Sequence, residues 1–314
     1  MPQSLELAIK TSSLTKQFGS QKAVSSIDLS VPKGSVFGFL GPNGSGKTTT
    51  IRMILGLAAA SKGEIELLGH PIPKELEHAL PKVGALVEGP AFYPYMSGRN
   101  NLIRIDSADR NSTASTRKKR VDAALERVGL TNAAKKKVHA YSLGMKQRLG
   151  LANALLKPRE ILILDEPTNG LDPQGTREVR NLIRSLAAEG ITIFVSSHLL
   201  SEIEQLCSHL AVMTAGKIVA QGSLAELRNE SQTRLVLKAD RIDELVDLLK
   251  TQGLTKLSLK PDRVVVPVPS DFDVASLNQL LVKNKFMVSE IRLEQPSLEE
   301  YFVNLTGEGF EVVR

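Results

Sequence analysis

The stretch Val36 to Thr49, VFGFLGPNGSGKTT, constrains this chain more than any other. It opens as a continuous apolar run, Val36 to Leu40, which reads as a buried strand. It then passes glycines at 41, 44 and 46 and enters a helix predicted to begin at Lys47. The string fits G-x-x-x-x-G-K-[ST] in the strand, loop, helix setting that the pattern requires. Its chemistry is phosphate binding. Glycine permits positive φ, so the loop Gly41, Pro42, Asn43, Gly44, Ser45, Gly46 can turn its N–H groups into one concavity. The helix start adds the positive end of its dipole there. Lys47 can reach β- and γ-phosphate oxygens, and the Thr48 hydroxyl is suited to ligate Mg²⁺.

A chain of 314 residues that is 42% hydrophobic has room for two packed domains. Its one cysteine, Cys207, leaves no disulfide framework and no thiolate metal site, which suits a reducing compartment, and reads as a small buried residue. No run of 18 apolar residues and no charged-then-apolar leader is found, so a membrane role is expected to need a partner chain. The formal charge of +6 is uneven: 12 Lys and Arg face 15 Asp and Glu from Ser223 onward, against 28 and 19 before it. The basic front suits nucleic acid, nucleotide phosphates or anionic lipid headgroups beside a membrane partner. The runs Arg117 to Arg120 and Lys135 to Lys137 read as solvated helix faces.

Residues 5 to 34 alternate as antiparallel strands do, with Phe18 between two of them, where its ring can stack on a purine. A strand at 63 to 69, a helical stretch and a second strand at 83 to 87 follow the Lys47 helix, and then comes Glu88. Phe92, Tyr93 and Tyr95 crowd the next loop, beside Pro90 and Pro94, either tucked onto the core or offered to another surface. Residues 97 to 130 read as two amphipathic helices separated by Asn111, Ser112 and Thr113, and a third helix begins near Ser142. ILIL, 161 to 164, is a short buried strand ending in Asp165 and Glu166. A helix from Pro173, a strand over 191 to 197, His198 and two further strands complete a first domain near Gly222. From Arg234 the pattern is strand, helix, strand, strand, helix, strand, the split βαβ or ferredoxin-like order. A last helix follows, with Ser297 and Glu300 as a capping box.

Two carboxylates at the end of an apolar strand lie at the carboxyl edge of a sheet, where open α/β folds bind ligands. One such group can hold Mg²⁺, and the next can orient an attacking water. With these residues in view, the first domain resembles the nucleotide-binding domain of ATP-binding cassette (ABC) proteins. GPNGSGKT (41 to 48) matches the Walker A motif, ILILDE (161 to 166) Walker B, and NGLD (169 to 172), which ends in Asp172, the D-loop. His198 falls where the family's switch histidine lies. YSLGMKQR (141 to 148) resembles the signature LSGGQ; it retains Ser142 and Gly144 but has Tyr141, Leu143 and Met145 in place of Leu, Gly and Gln. Glu88 stands where the family commonly has Gln and can touch Mg²⁺ or water. These substitutions, and the closing PSLEEYFVNLTG (296 to 307), are similar to the branch of single-cassette ATPases that drive drug and antibiotic-peptide exporters.

The resemblance implies an α/β fold: a P-loop NTPase core with an antiparallel β subdomain and a helical subdomain at about 97 to 158, over residues 1 to 222. A C-terminal α+β accessory domain occupies 223 to 314. It further implies ATP as substrate with Mg²⁺, bound by Phe18, residues 41 to 49, Ser142, Gly144 and Asp172, with Thr48, Asp165 and Glu88 as metal ligands. Glu166, His198 and Lys47 take the catalytic roles. Two subunits are expected to pair head to tail on the cytoplasmic face of the membrane and to drive a separate permease, with no nucleic acid bound. Import in place of export stays open, and a soluble ABC ATPase working on nucleic acid or ribosomes is the alternative.

Overall fold

The computed structural model describes residues 6–89, 91–109, 112–230, 233–269, 271–294 and 298–306, and the chain divides into two compact units after Ser223. Pro90, Asn111, Pro296 and Ser297, which carried expectations above, lie outside the described residues.

The first unit starts with β1 (Leu7–Phe18), β2 (Gln21–Ile27), β3 (Ser30–Pro32) and β4 (Val36–Leu40), followed by α1 (Lys47–Ile54), β5 (Lys62–Leu67) and β6 (His70–Ile72). A single turn, α2 (Leu76–Ala79), leads to β7 (Val83–Leu86). The helical stretch expected there is short because Pro71, Pro73 and Pro81 each lack the N–H that a helix interior needs. Three helices come next, α3 (Gly98–Ala108), α4 (Arg117–Arg127) and α5 (Leu143–Ala154). Then follow β8 (Ile161–Asp165), α6 (Pro173–Ala188), β9 (Thr192–Ser197), α7 (Leu200–Leu206), β10 (His209–Thr214) and β11 (Lys217–Ser223).

β1, β2, β3, β5 and β6 make one antiparallel sheet, in which Phe18 is the last residue of β1 and pairs with Gln21. The other sheet has the order β11-β10-β4-β9-β8-β7. Its strands are parallel except β11, so the carboxyl ends of β10, β4, β9, β8 and β7 share one edge. β4, β8 and β9 read as uninterrupted apolar runs because helices cover both faces of such a sheet. Phe37 and Phe39 of β4 pack on Phe194 of β9, with ring centroids 5.8 and 5.4 Å apart. Cys207 is buried beside these strands, and burial pushes its thiol well above the ordinary value.

The run Arg117 to Arg120 departs from the expected solvated face. Arg120 grips the carboxylate of Asp106 with two nitrogens, at 3.0 and 2.7 Å, and Arg117 Nε donates to it at 3.0 Å. Only Lys118 and Lys119 of the run are exposed. This clamp ties α4 to α3.

The second unit opens with α8 (Leu224–Glu230) and β12 (Arg234–Ala239), then α9 (Ile242–Thr251), β13 (Ser258–Lys260), β14 (Arg263–Pro267), α10 (Val274–Lys283), β15 (Val288–Glu294) and α11 (Leu298–Thr306). The sheet order is β13-β14-β12-β15, with every neighbouring pair antiparallel. α9 therefore carries the chain from β12 over β14 to β13, the split-βαβ connection. Leu245 and Leu249 of α9 and Leu277 and Leu281 of α10 are buried with Leu235, Leu237, Val264 and Val266, a core belonging to this unit alone.

Candidate functional site

The loop after β4 reaches α1 through Gly46, whose φ of 109° is outside the range of ordinary residues and whose N-cap position carries no side-chain cap. A Cβ there would lie 2.5 Å from the carbonyl oxygen of Ala23. The bare cap leaves the first N–H groups of α1 free for an anion. These residues line a cavity of about 440 Å³, bounded by Asn43, Gly44, Gly46, Lys47, Thr48, Thr49 and Glu166 on one side and by Gln21, Lys22 and Ala23 on the other. Ser45 Oγ is buried without a hydrogen-bond partner among the described residues.

Lys47 is buried, and its Nζ donates to the carbonyls of Gly41 at 2.6 Å and Pro42 at 3.2 Å. Burial holds its ammonium below the ordinary lysine value, against the opposing pull of Glu166 and Asp165. Thr48 Oγ1 donates to Asp165 Oδ2 at 2.8 Å, and Ser196 Oγ donates to the other oxygen, Oδ1, at 2.5 Å. A hydroxyl and a carboxylate side by side are hard oxygen donors, a set that fits Mg²⁺ completed by phosphate and water.

Glu166 takes the left-handed conformation, φ 48°, at the end of β8, which for a residue with a Cβ is strain held in place by its surroundings. Its N–H donates to Ser196 Oγ at 2.9 Å, Oε2 meets His198 Nδ1 at 2.9 Å, and Oε1 lies 3.5 Å from Lys47 Nζ. Phosphate-loop cation, carboxylate and imidazole thus form one contiguous row along the carboxyl edge of the sheet. Ser196 and Glu202 are site residues that sequence reasoning missed. Ser196 was legible only as a polar ending to the apolar strand ITIFVSS, and Glu202 had no signal at all. Glu202 Oε2 accepts from Thr168 at 2.8 Å and from Ser197 at 3.0 Å, joining the loop after Glu166 to the segment that carries His198.

Ser142 and Gly144 are not in that row. Ser142 caps α5, accepting from the N–H of Met145 at 3.2 Å, and Asp172 caps α6, accepting from Gly175 at 2.8 Å. Both helix starts open into a second cleft of about 420 Å³, lined by Ser142, Leu143, Gly144, Gly170, Asp172 and Gln174 among others. The two clefts share no lining residue. Tyr141 turns away into the helical bundle, where it is buried and its hydroxyl donates to the Ala133 carbonyl at 2.7 Å. Burial raises its phenol above the ordinary value. Leu143 stays half exposed, over Gly170.

Phe18 is exposed with Lys16 Nζ 4.8 Å from its ring, and its strand partner Gln21 lines the first cleft. Glu88 was expected as a metal ligand, and in this structure it meets a basic side chain of α1. Its carboxylate forms an ion pair with Arg52, one turn beyond Thr48 on α1, and its backbone takes φ 60°. A carboxylate can be captured by a guanidinium where an amide would not be.

The family model described as ABC transporter matches residues 24–169. The chain is 42% identical to the bacitracin transport ATP-binding protein BcrA of Bacillus licheniformis, over 96% of this chain and 98% of that one. It is 34% identical to a daunorubicin resistance ATP-binding protein of Streptomyces coeruleorubidus, over 96% and 97% of the two chains. Among solved structures, cbiO1 of Clostridium perfringens, part of the ABC transporter complex cbiONQ, superposes with a TM-score of 0.65 at 27% identity. The match covers 79% of this chain and 96% of that one. An ATP-binding cassette in its ADP conformation gives 0.62 at 28% identity, over 70% and 92%.

Proposed function

The chain belongs to the ABC transporter family as an ATP-binding, ATP-hydrolysing subunit, and we propose that it powers an exporter of drugs, antibiotic peptides or lipids through a separate permease. The observation that carries the mechanism is the separation of two half-sites. The Lys47 row can hold a nucleotide but leaves its outer phosphate covered from one side, while the Ser142 helix start opens into a cleft of its own. Two copies arranged head to tail complete both sites at once, each Ser142 and Gly144 meeting the nucleotide held by the other copy. ATP then acts as the glue, and hydrolysis opens the pair.

Within each site the loop amides, Lys47 and Thr49 hold the phosphates, and Phe18, at the end of the strand whose partner lines the cleft, stacks on the base. Thr48 and Asp165 would hold Mg²⁺, which supplies charge neutralisation at the phosphoryl oxygens when bound. Glu166 polarises the attacking water, and its strained backbone and its contact with His198 keep the carboxylate in one orientation. His198 holds the water and the outer phosphate in line, and Lys47 offsets the developing negative charge.

The relatives named above are transport and resistance subunits, which withdraws support from an ATPase acting on nucleic acid or ribosomes. No helix among the described residues is long and apolar enough to cross a membrane. We assign the working position to the cytoplasmic membrane face, held by the permease. Tyr93 and Tyr95 are 54% and 79% exposed, and with Phe92 they form part of our proposed permease-docking groove. Alanine at all three should abolish permease co-purification; unchanged recovery would remove that assignment.

The test of the motor is Glu166→Gln. It should keep ATP affinity, lose turnover and accumulate an ATP-dependent dimer on size-exclusion chromatography. Hydrolysis at the parent rate would show that Glu166 is not the group acting on water.

A further inference from the structure

The lysine run Lys135, Lys136, Lys137 plays no part in the mechanism above, and the structure gives it an unusual setting. The segments 94–99 and 134–139 run side by side in a ladder. His139 N–H donates to Pro94 O at 2.8 Å, Val138 to Met96 at 3.0 Å, Gly98 to Lys136 at 3.2 Å and Arg99 to Ala134 at 2.9 Å, and Ser97 bridges Lys137. The three lysines are therefore fixed on a rigid double segment, with all three side chains exposed. Among the described residues their ammonium groups make no ion pair and no hydrogen bond. Beside them on the same ladder stands Tyr95, whose ring is 5.8 Å from that of His139. Tyr93 lies two residues before it, with the Arg104 guanidinium 4.5 Å from its ring.

Charge is one-sided along these stretches. Residues 91–105 and 131–148 contain seven Lys and Arg and no Asp or Glu. Asp122 reaches the ladder, where it is already bound to Arg99. Three uncompensated ammonium groups held in one place raise the local positive potential and attract an anionic surface.

We propose that this ladder is a contact site for anionic phospholipid headgroups, which attaches the subunit to the membrane surface independently of its permease. It rests on the transporter reading for its setting, since a motor docked through Phe92 to Tyr95 carries the adjacent lysines beside the bilayer. Each lysine near an anionic surface contributes roughly fivefold in binding, so removing three should weaken it on the order of a hundredfold. Salt should weaken it as well.

The experiment is co-sedimentation of the purified full chain, without permease, with vesicles of phosphatidylcholine alone or mixed with phosphatidylglycerol, at low and high salt. Wild type should bind the mixed vesicles at low salt only. Lys135→Gln, Lys136→Gln and Lys137→Gln combined should lose that binding while retaining the parent ATPase rate. Equal binding to both vesicle types, no binding to either, or undiminished binding by the triple variant overturns the proposal. A triple variant that binds vesicles normally but no longer co-purifies with the permease would reassign the ladder to protein docking and also overturn it. If the chain binds the mixed vesicles but takes up no ATP, the motor reading fails and the lipid contact stands.

Discussion

Gly46 shows how little freedom the site leaves a single residue. Its φ of 109° and the Ala23 carbonyl lying 2.5 Å from where a Cβ would sit make Gly46→Ala a displacement of the phosphate loop. Strain of this kind costs about 1–3 kcal/mol, so ATP affinity should fall roughly tenfold or more while the parallel sheet stays folded. Isothermal titration with circular dichroism checks both halves of that statement. Glycine spacing made this residue legible in the sequence, because a positive φ is a local property. The pairing of Glu88 with Arg52 was not legible, because it depends on where β7 ends relative to α1.

At the level of elements, the helical bundle is held by charge as well as by packing. Asp106 of α3 is buried, and although burial opposes ionisation, its bonds to Arg120, Ser112 and Arg117 hold its carboxyl below the usual aspartate value. A depressed folded value means that the stabilisation is complete above the unfolded carboxyl's range, about pH 4, and is lost as pH falls through the lower folded value. Asp106→Asn should therefore cost about 2–3 kcal/mol at neutral pH, and its unfolding curve should converge with that of wild type in acid. A series of urea melts taken from pH 7 downward measures this. The helices themselves were readable from amphipathic spacing, the third beginning near Ser142 as expected. The clamp between α3 and α4 was not, since Arg117 and Arg120 look like any exposed basic run until Asp106 is placed under them.

On the scale of the whole molecule, every residue assigned to the nucleotide lies before Ser223, and the second unit has its own core. A chain ending at Ser223 should bind ATP within about twofold of the full chain, as expected of a domain that folds alone. A larger loss, measured by titration, would show that the accessory unit supports the site. The sequence by itself determined the phosphate loop, the strand-end carboxylates, the helix starts and the strand and helix order of the second unit. All of these are written in local spacing: glycine position, apolar period, cap residue. Only the tertiary structure decided which of these groups meet. The strand order β10-β4-β9-β8-β7 brings Thr48 to Asp165, Ser196 between Asp165 and the Glu166 backbone, and His198 to Glu166. Periodicity reports which residues are buried but not what they are buried against, and neighbours in a parallel sheet are chosen by packing over chain separations that no local pattern spans.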